Sequence, residues 1–227
     1  METEEGASRR FIAPIWLGQR RYQPVHDFMR ALAEARHEKR IGDTLLLLEH
    51  EPVYTIGRTP DKSSLLGAAH LPYPVFSINR GGQATYHGPG QLMGYPIIDL
   101  RRRGQDLHRY LRWLEQLLIE LLAEYGIAAS RRESLTGVWV DHRKIASIGV
   151  GVRHWITMHG FALNVCGDFS PFRHIVPCGI NNVAMTSIEK ETGKAFSVVS
   201  VARAVEKLAS DAITSLRIPQ QPQAVHV

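Results

Sequence analysis

Apolar and polar positions alternate along this chain with two periods, and each change of period marks an element. After a polar opening stretch, Phe11–Leu17 reads as a short strand. From Pro24, Val25, Phe28, Met29 and Leu32 fall at the i, i+3, i+4, i+7 spacing of an amphipathic helix. Proline suits that first turn, since its missing N–H would be unpaired there anyway. Thr44–Glu49 (TLLLLE) reads as a buried strand, with His50–Arg58 beside it, and Pro60–His70 is polar and irregular. Pro74–Ile78 and Tyr95–Leu100 read as further strands. The strongest helix has Asp106 as its N-cap, an apolar line at Leu107, Tyr110, Leu111, Leu114, Leu117, Leu118, Leu121 and Leu122, and Gly126 past its end.

The second half is mostly strand. Gly137–Arg153 reads as a hairpin: Val138 and Val140 alternate before a polar turn at Asp141–Arg143, and Ala146, Ile148, Val150 and Val152 alternate after it. In His159–Val165, Phe161, Leu163 and Val165 share one face. Phe169–Ile180 is broken by prolines and reads as a loop, and a last helix covers about Val198–Leu216. The pattern predicts one α/β domain spanning 1–227, a mixed sheet flanked by helices, with flexible tails at 1–10 and 218–227.

Composition narrows the class. An apolar fraction of 44% and a charged fraction of 22% are ordinary for a globular protein. No apolar run approaches the ~18 residues of a membrane helix, and the polar N-terminus has no signal core, so a cytoplasmic protein is expected. Two cysteines, Cys166 and Cys178, are too few for a disulfide framework. The net charge of +5 is spread over short basic clusters without interleaved aromatics, so neither nucleic acid nor membrane is expected as a partner.

The chemistry gathers where the periodicity stops. Arg80–Tyr95 (RGGQATYHGPGQLMGY) has five glycines in sixteen residues, with Arg80 and His87 as polar groups, and reads as a backbone wrapped around something and gripped between core strands. Cys178 sits between Pro177 and Gly179 in a loop, a poor place for core filling, whereas Cys166 ends an alternating strand and reads as a small buried hydrophobe. A nearby ammonium would lower the Cys178 thiol from ~8.5, and Lys144 at the hairpin bend could do so if the fold joins the two; alone, a lysine on a turn is a solvated surface charge. Two other arrangements remain open: a Cys–His dyad using His87, His159 or His174, and a metal site from His154, His159, Cys166, His174 and Cys178, although no standard zinc spacing is present.

Taken with RKIASIGVGV, HGFALNV and IVPCGI, the glycine-rich stretch resembles the lipoyl(octanoyl) transferases of lipoate biosynthesis, in the family's motif order over roughly residues 40 to 190. Gly81-Gly82 and His87-Gly88-Pro89-Gly90 fit that family better than the related lipoate and biotin ligases, which are the alternative. The resemblance implies a fold similar to biotin and lipoate ligase catalytic domains. It implies transfer of an octanoyl group from acyl carrier protein to a lysine of lipoyl domains, those of 2-oxoacid dehydrogenase complexes and the glycine cleavage H protein. It carries the thioester cysteine to Cys178 and its pKa-lowering lysine to Lys144. It carries substrate binding to Arg80, Gly81, Gly82, Gln83, Ala84, Thr85, Tyr86 and His87, to Ser147, Ile148 and Gly149, and to Gly160, Phe161 and Ala162. A monomer without metal or cofactor is expected. Lys144 is the favoured base for amide formation with His87 in reserve, and the Arg101–Arg103 run is expected to dock the acidic carrier protein.

Overall fold

Thr44–His50 is apolar on both sides because it is buried on both sides. Leu45 and Leu47 join one core cluster and Leu46 and Leu48 another. The computed structural model describes residues 13–58, 64–65, 71–177, 183–212 and 216. Its strands are β1 (Ala13–Arg20), β2 (Thr44–His50), β3 (Val53–Ile56), β4 (Val75–Ser77), β5 (Thr85–His87), β6 (Gln91–Ile97), β7 (Ser130–Arg132), β8 (Leu135–Val140), β9 (Arg143–Arg153), β10 (Ile156–Asn164) and β11 (Ala184–Met185). Its helices are α1 (Tyr22–His37), α2 (Leu107–Glu124), α3 (Ile188–Thr192) and α4 (Val198–Ala212).

The main sheet runs β1-β2-β6-β10-β9-β8-β7, parallel between β1 and β2 and antiparallel elsewhere along that path, with β11 added in parallel to β9. This is the mixed α/β sheet that the sequence predicted. One face is covered by α2 and α4 through Leu114, Leu118, Val201 and Val205, packed on Leu47, Val138, Phe161 and Leu163. The other carries Val25, Met29 and Ala33 of α1 on Leu46, Leu48, Met93 and Ala162. A small second sheet runs β4-β3-β5. The expected tails lie outside the described residues, as does most of Pro60–His70.

Several boundaries differ for identifiable reasons. The Asp106 cap forms, its carboxylate accepting from the Arg109 N–H at 2.9 Å. Leu107, however, lies at the rim, and Phe28 is 42% exposed. The first helix buries the line Tyr22, Val25, Met29 and Ala33 instead, which swings Phe28 past the edge of the sheet. Helix α1 also begins two residues before Pro24. The predicted strand at Pro74–Ile78 is a short, largely exposed edge of the small sheet, so the glycine-rich stretch bridges two sheets and is not held between two strands of one.

The Arg101–Arg103 run is not a free docking surface. Arg101 pairs with Asp99 and Arg103 with Asp43, each at 2.7 Å, and Arg36 of α1 reaches Asp43 at 2.7 Å and Asp99 at 3.5 Å. The Asp43 carboxylate also accepts from the Asp99 N–H at 3.1 Å. This network ties the C-terminal end of α1 to the start of β2 and the end of β6. Burial alone would raise the Asp99 carboxyl, but hydrogen bonds from Arg101 and the charges of Arg36 and Arg101 hold it below the usual carboxylate range. Removing one partner of a buried charge network strands the others without a counter-charge. Asp43→Ala should therefore cost about 3–5 kcal/mol of stability, read as a lower urea midpoint; an unchanged midpoint would mean that the network contributes nothing net.

Candidate active site

On the α1 side of the main sheet, small side chains line up across three strands. Register pairs Met93 with Ala162 and Ala162 with Ser147, then Gly160 with Gly149. The segment from Arg80 to His87 lies over this floor. A Cβ on Gly149 would stand 3.1 Å from Arg80 Cδ and 3.3 Å from the Gly81 carbonyl, so the bare glycine sets how closely the cover descends. The three predicted segments do converge. Arg80, Thr85 and His87 meet Ser147, Ile148 and Gly149, and Gly160, Phe161 and Ala162, around one slot of about 30 Å³. That is roughly the volume of one water molecule, so the slot is closed in this conformation.

Within the cover, residues alternate. Thr85 and His87 face the slot, while Ala84 and Tyr86 pack with Tyr54, Phe172 and Ile175. Gly81 and Gly82 are exposed and Gln83 is half-buried, so these three hold the backbone and do not line the slot. Arg80 fastens the cover: its guanidinium donates to the carbonyls of Thr55, Gly81 and Gln83 and to the Thr55 hydroxyl, at 2.8–3.1 Å. The lining is completed by Tyr22 and Ile78, which the sequence does not single out, by Met93 and Tyr95 of the glycine-rich stretch, and by His159, which the sequence suggests only as a dyad base or a metal ligand. Only the fold brings them here. The hydroxyls of Tyr22 and Thr85 are buried there without a hydrogen-bond partner among the described residues.

Lys144 is the largest surprise. It is 1% exposed and not a surface charge at a bend. Strands β8 and β9 pair Val138 with Ala146 but Trp139 with Lys144, so β9 carries one extra residue. At such a bulge two successive residues share a face, and Ile145 and Ala146 both enter the core beneath α2 and α4. Strict alternation with Ala146 and Ile148 would have sent Lys144 into that core too. The extra residue turns it instead to the face of Ser147 and Gly149. There its Nζ lies 5.1 Å from the centre of the Trp139 ring, and its stem occupies the space that a Cβ on Gly137 would take.

Cys178 lies outside the described residues. The chain that leads to it is anchored by Val176, whose N–H donates to the Ser64 carbonyl at 2.8 Å. The chain that follows pairs Met185 with Lys144, and the Thr186 N–H donates to the Lys144 carbonyl at 3.0 Å. Asn164 of β10 holds the Thr186 carbonyl at 2.9 Å. Cys166, at the end of β10, packs against the core, and burial pushes its thiol up. Among the described residues no three His, Cys, Asp or Glu side chains are grouped to hold a metal ion.

The histidines near the slot are neutral. His50 donates through Nδ1 to the Arg20 carbonyl at 3.0 Å, which leaves Nε2 to accept from the Tyr95 hydroxyl at 2.8 Å. Burial pushes His50 down to about 4 and His159 to about 3, the latter helped by the charge of Arg80. His87 falls well below its ordinary value, first from burial and then from His50 and Arg80. Both its ring nitrogens are engaged, with Thr55 at 3.3 Å and Gln91 at 3.4 Å. A ring so hard to protonate is a weak reserve base.

A family model, that of the lipoyl protein ligase A/B catalytic domain, matches residues 21–209, and the chain belongs to that family. Within it, the chain is 51% identical to the octanoyltransferase of Geobacter sulfurreducens over 81% of its own length and 77% of that protein's. Among solved structures it is similar to a putative lipoate protein ligase from T. acidophilum with bound lipoic acid, with a TM-score of 0.69 at 15% identity over 90% of this chain and 86% of that one. The biotin protein ligase from Aquifex aeolicus in complex with biotin and ATP gives a TM-score of 0.56 at 17% identity, covering 91% of this chain and 72% of the other. At such identities the two structures speak to the fold, which is that of the ligase catalytic domains.

The buried imidazoles make stability depend on pH. As pH falls below about 6.5 the unfolded chain takes up protons that folded His50 and His159 refuse. Stability is full above that value and declines towards pH 3–4, the folded values of these rings. The loss is about 1.4 kcal/mol per pH unit for each ring. Urea midpoints at pH 7 and pH 5 should differ accordingly; equal midpoints would mean that the rings accept protons in place.

Proposed function

We propose that this chain is an octanoyltransferase of lipoate biosynthesis, moving the acyl group in two steps through Cys178. The donor is octanoyl-acyl carrier protein. The acceptor is a lysine of the lipoyl domains of 2-oxoacid dehydrogenase complexes and of the glycine cleavage H protein, and the enzyme acts as a cytoplasmic monomer. The observation that carries the reading is the burial of Lys144 on the slot face, beside the strand that follows Cys178. The octanoyltransferase relatives support the acyl group and the reaction.

The resting pair is a Cys178 thiolate and a Lys144 ammonium. An ammonium close to a thiol stabilises the thiolate and lowers its pKa from ~8.5. The thiolate attacks the thioester carbonyl of the donor, and the tetrahedral intermediate expels the carrier's thiolate. That leaving group takes the proton of Lys144, so a neutral thiol departs and a neutral Lys144 remains. Thioester has replaced thioester, and the driving force is small either way.

The second step makes an amide and is downhill. The acceptor lysine must attack as a neutral amine, which at an ordinary pKa of ~10.4 is scarce near pH 7. As its C–N bond forms, the amine gives its proton to neutral Lys144, and the Cys178 thiolate leaves. Ammonium and thiolate are thereby restored. The donor arrives activated, so the scheme needs no ATP. Covalent transfer of this kind divides one hard step into two easier ones.

Intact mass tests the route. With octanoyl-acyl carrier protein and no acceptor, the wild-type chain should gain one octanoyl mass, Cys166→Ala should gain it too, and Cys178→Ala should not. An adduct that survives in Cys178→Ala would show that the nucleophile is another residue. A strict requirement for ATP and free octanoate would favour the ligase chemistry instead.

A further inference from the structure

We propose that His159, with Ile78 beside it, is the end wall of the acyl slot and sets the length of chain that the enzyme accepts. This rests on the acyltransferase reading above, which puts the thioester at the Lys144 end. From there the small floor residues recede in order, Ser147 then Gly149 on β9 and Ala162 then Gly160 on the antiparallel β10, and His159 comes next. His159 pairs with Val150, six residues along β9 from Lys144.

The strand span suits an eight-carbon chain along the floor, for which the slot of about 30 Å³ must widen as the cover lifts. Six residues of strand span about 20 Å. An extended octanoyl group is roughly 10 Å long from C–C bonds of about 1.5 Å, and the Lys144 stem and the imidazole ring fill the two ends. A fourteen-carbon chain, at roughly 18 Å on the same bond lengths, would run into the ring.

What stands behind the wall makes it a selector. His159 and Ile78 line the slot on one side and a groove of about 570 Å³ on the other, which is bounded by α1 and by the β9–β10 turn. These two side chains line both spaces, and the backbone of Asn79–Gly81 crosses the sheet beside them, the Gly81 N–H donating to the Val150 carbonyl at 3.0 Å. Open volume therefore lies directly beyond the point where an octanoyl chain stops.

The ring is held in place. It stacks on His26 at 5.8 Å and meets Tyr95 edge-on at 6.3 Å. The backbone N–H of the same residue donates to the Met29 sulfur at 3.1 Å, which fixes the main chain beneath the ring. The backbone at His159 has φ +59°, a left-handed conformation that is uncommon within a strand for any residue but glycine. A strained residue held between two cavities is a position where function outweighs local preference. Neutrality suits the task, since burial keeps the ring uncharged against a methyl terminus.

The test compares octanoyl- and tetradecanoyl-acyl carrier protein as donors to a lipoyl domain, for wild type, His159→Gly and Ile78→Ala. Glycine adopts positive φ without strain, so the first variant removes the ring without penalising the backbone. The second thins the same wall should the first fail to fold. The ratio of tetradecanoyl to octanoyl rates should rise by about tenfold or more in the variants, because the added CH₂ groups gain apolar surroundings. A ratio unchanged in whichever variants fold overturns the assignment of the wall. Wild type that transfers no octanoyl group at all contradicts the functional reading instead. Calorimetric binding of free octanoate and tetradecanoate then still reports on the wall: tighter tetradecanoate binding only in the variants supports it, and no change removes it.

Discussion

In a pleated strand successive side chains point to opposite faces, so a single extra residue reverses every orientation beyond it. On β9 that residue falls in the Ile145–Ala146 pair and decides where Lys144 goes. Without it, an ammonium would be driven into a core of Leu, Ile and Val side chains beneath α2 and α4. With it, the same lysine reaches the face shared by Ser147, Gly149, Gly160 and Ala162, where a slot can form. The floor, the cover and the wall at His159 are all arranged relative to that one reversal.

A buried ammonium is costly unless its surroundings answer its charge. Part of the answer is the face of Trp139, 5.1 Å from the nitrogen, a weak electrostatic contact. A thiolate next to it would be a stronger one, which is why a cysteine partner makes sense energetically as well as chemically. Elsewhere in the site the histidines are neutral and the one guanidinium of the lining, Arg80, is turned to polar partners. His50, His87 and His159 are all pushed towards neutrality, and Arg80 spends its hydrogen bonds on backbone carbonyls and Thr55. An apolar acyl chain then meets neutral walls along most of its length.

Much of this was legible in the order of residues, though not all for the same reason. The alternations Val138–Val140 and Phe161–Leu163–Val165 gave strands on the helix-side core, and the leucine line of α2 gave the helix that covers them, because those patterns are local. The motifs at 80–87, 147–149 and 160–162 were legible through family resemblance, and the fold brings them to one place. Tyr22, Ile78 and His159 were missed as lining residues, since their meeting depends on α1 crossing the sheet. Phe28 was misread because helical spacing fixes a face without fixing how wide a face the partner can cover. The Arg101–Arg103 run looked like a free basic patch because Asp43 and Arg36 lie some sixty residues away in sequence and beside it in space. The bulge was invisible for a related reason, as Ala146, Ile148, Val150 and Val152 alternate perfectly and conceal the slip next to Lys144.

The central claim is that Lys144 acts electrostatically on the Cys178 thiol, and the rate of Cys178 alkylation by iodoacetamide as a function of pH measures that influence most directly. The account predicts a wild-type midpoint well below the ordinary ~8.5 and a midpoint shifted upward in Lys144→Met. Superimposable profiles for the two proteins, both with an ordinary midpoint, would contradict it.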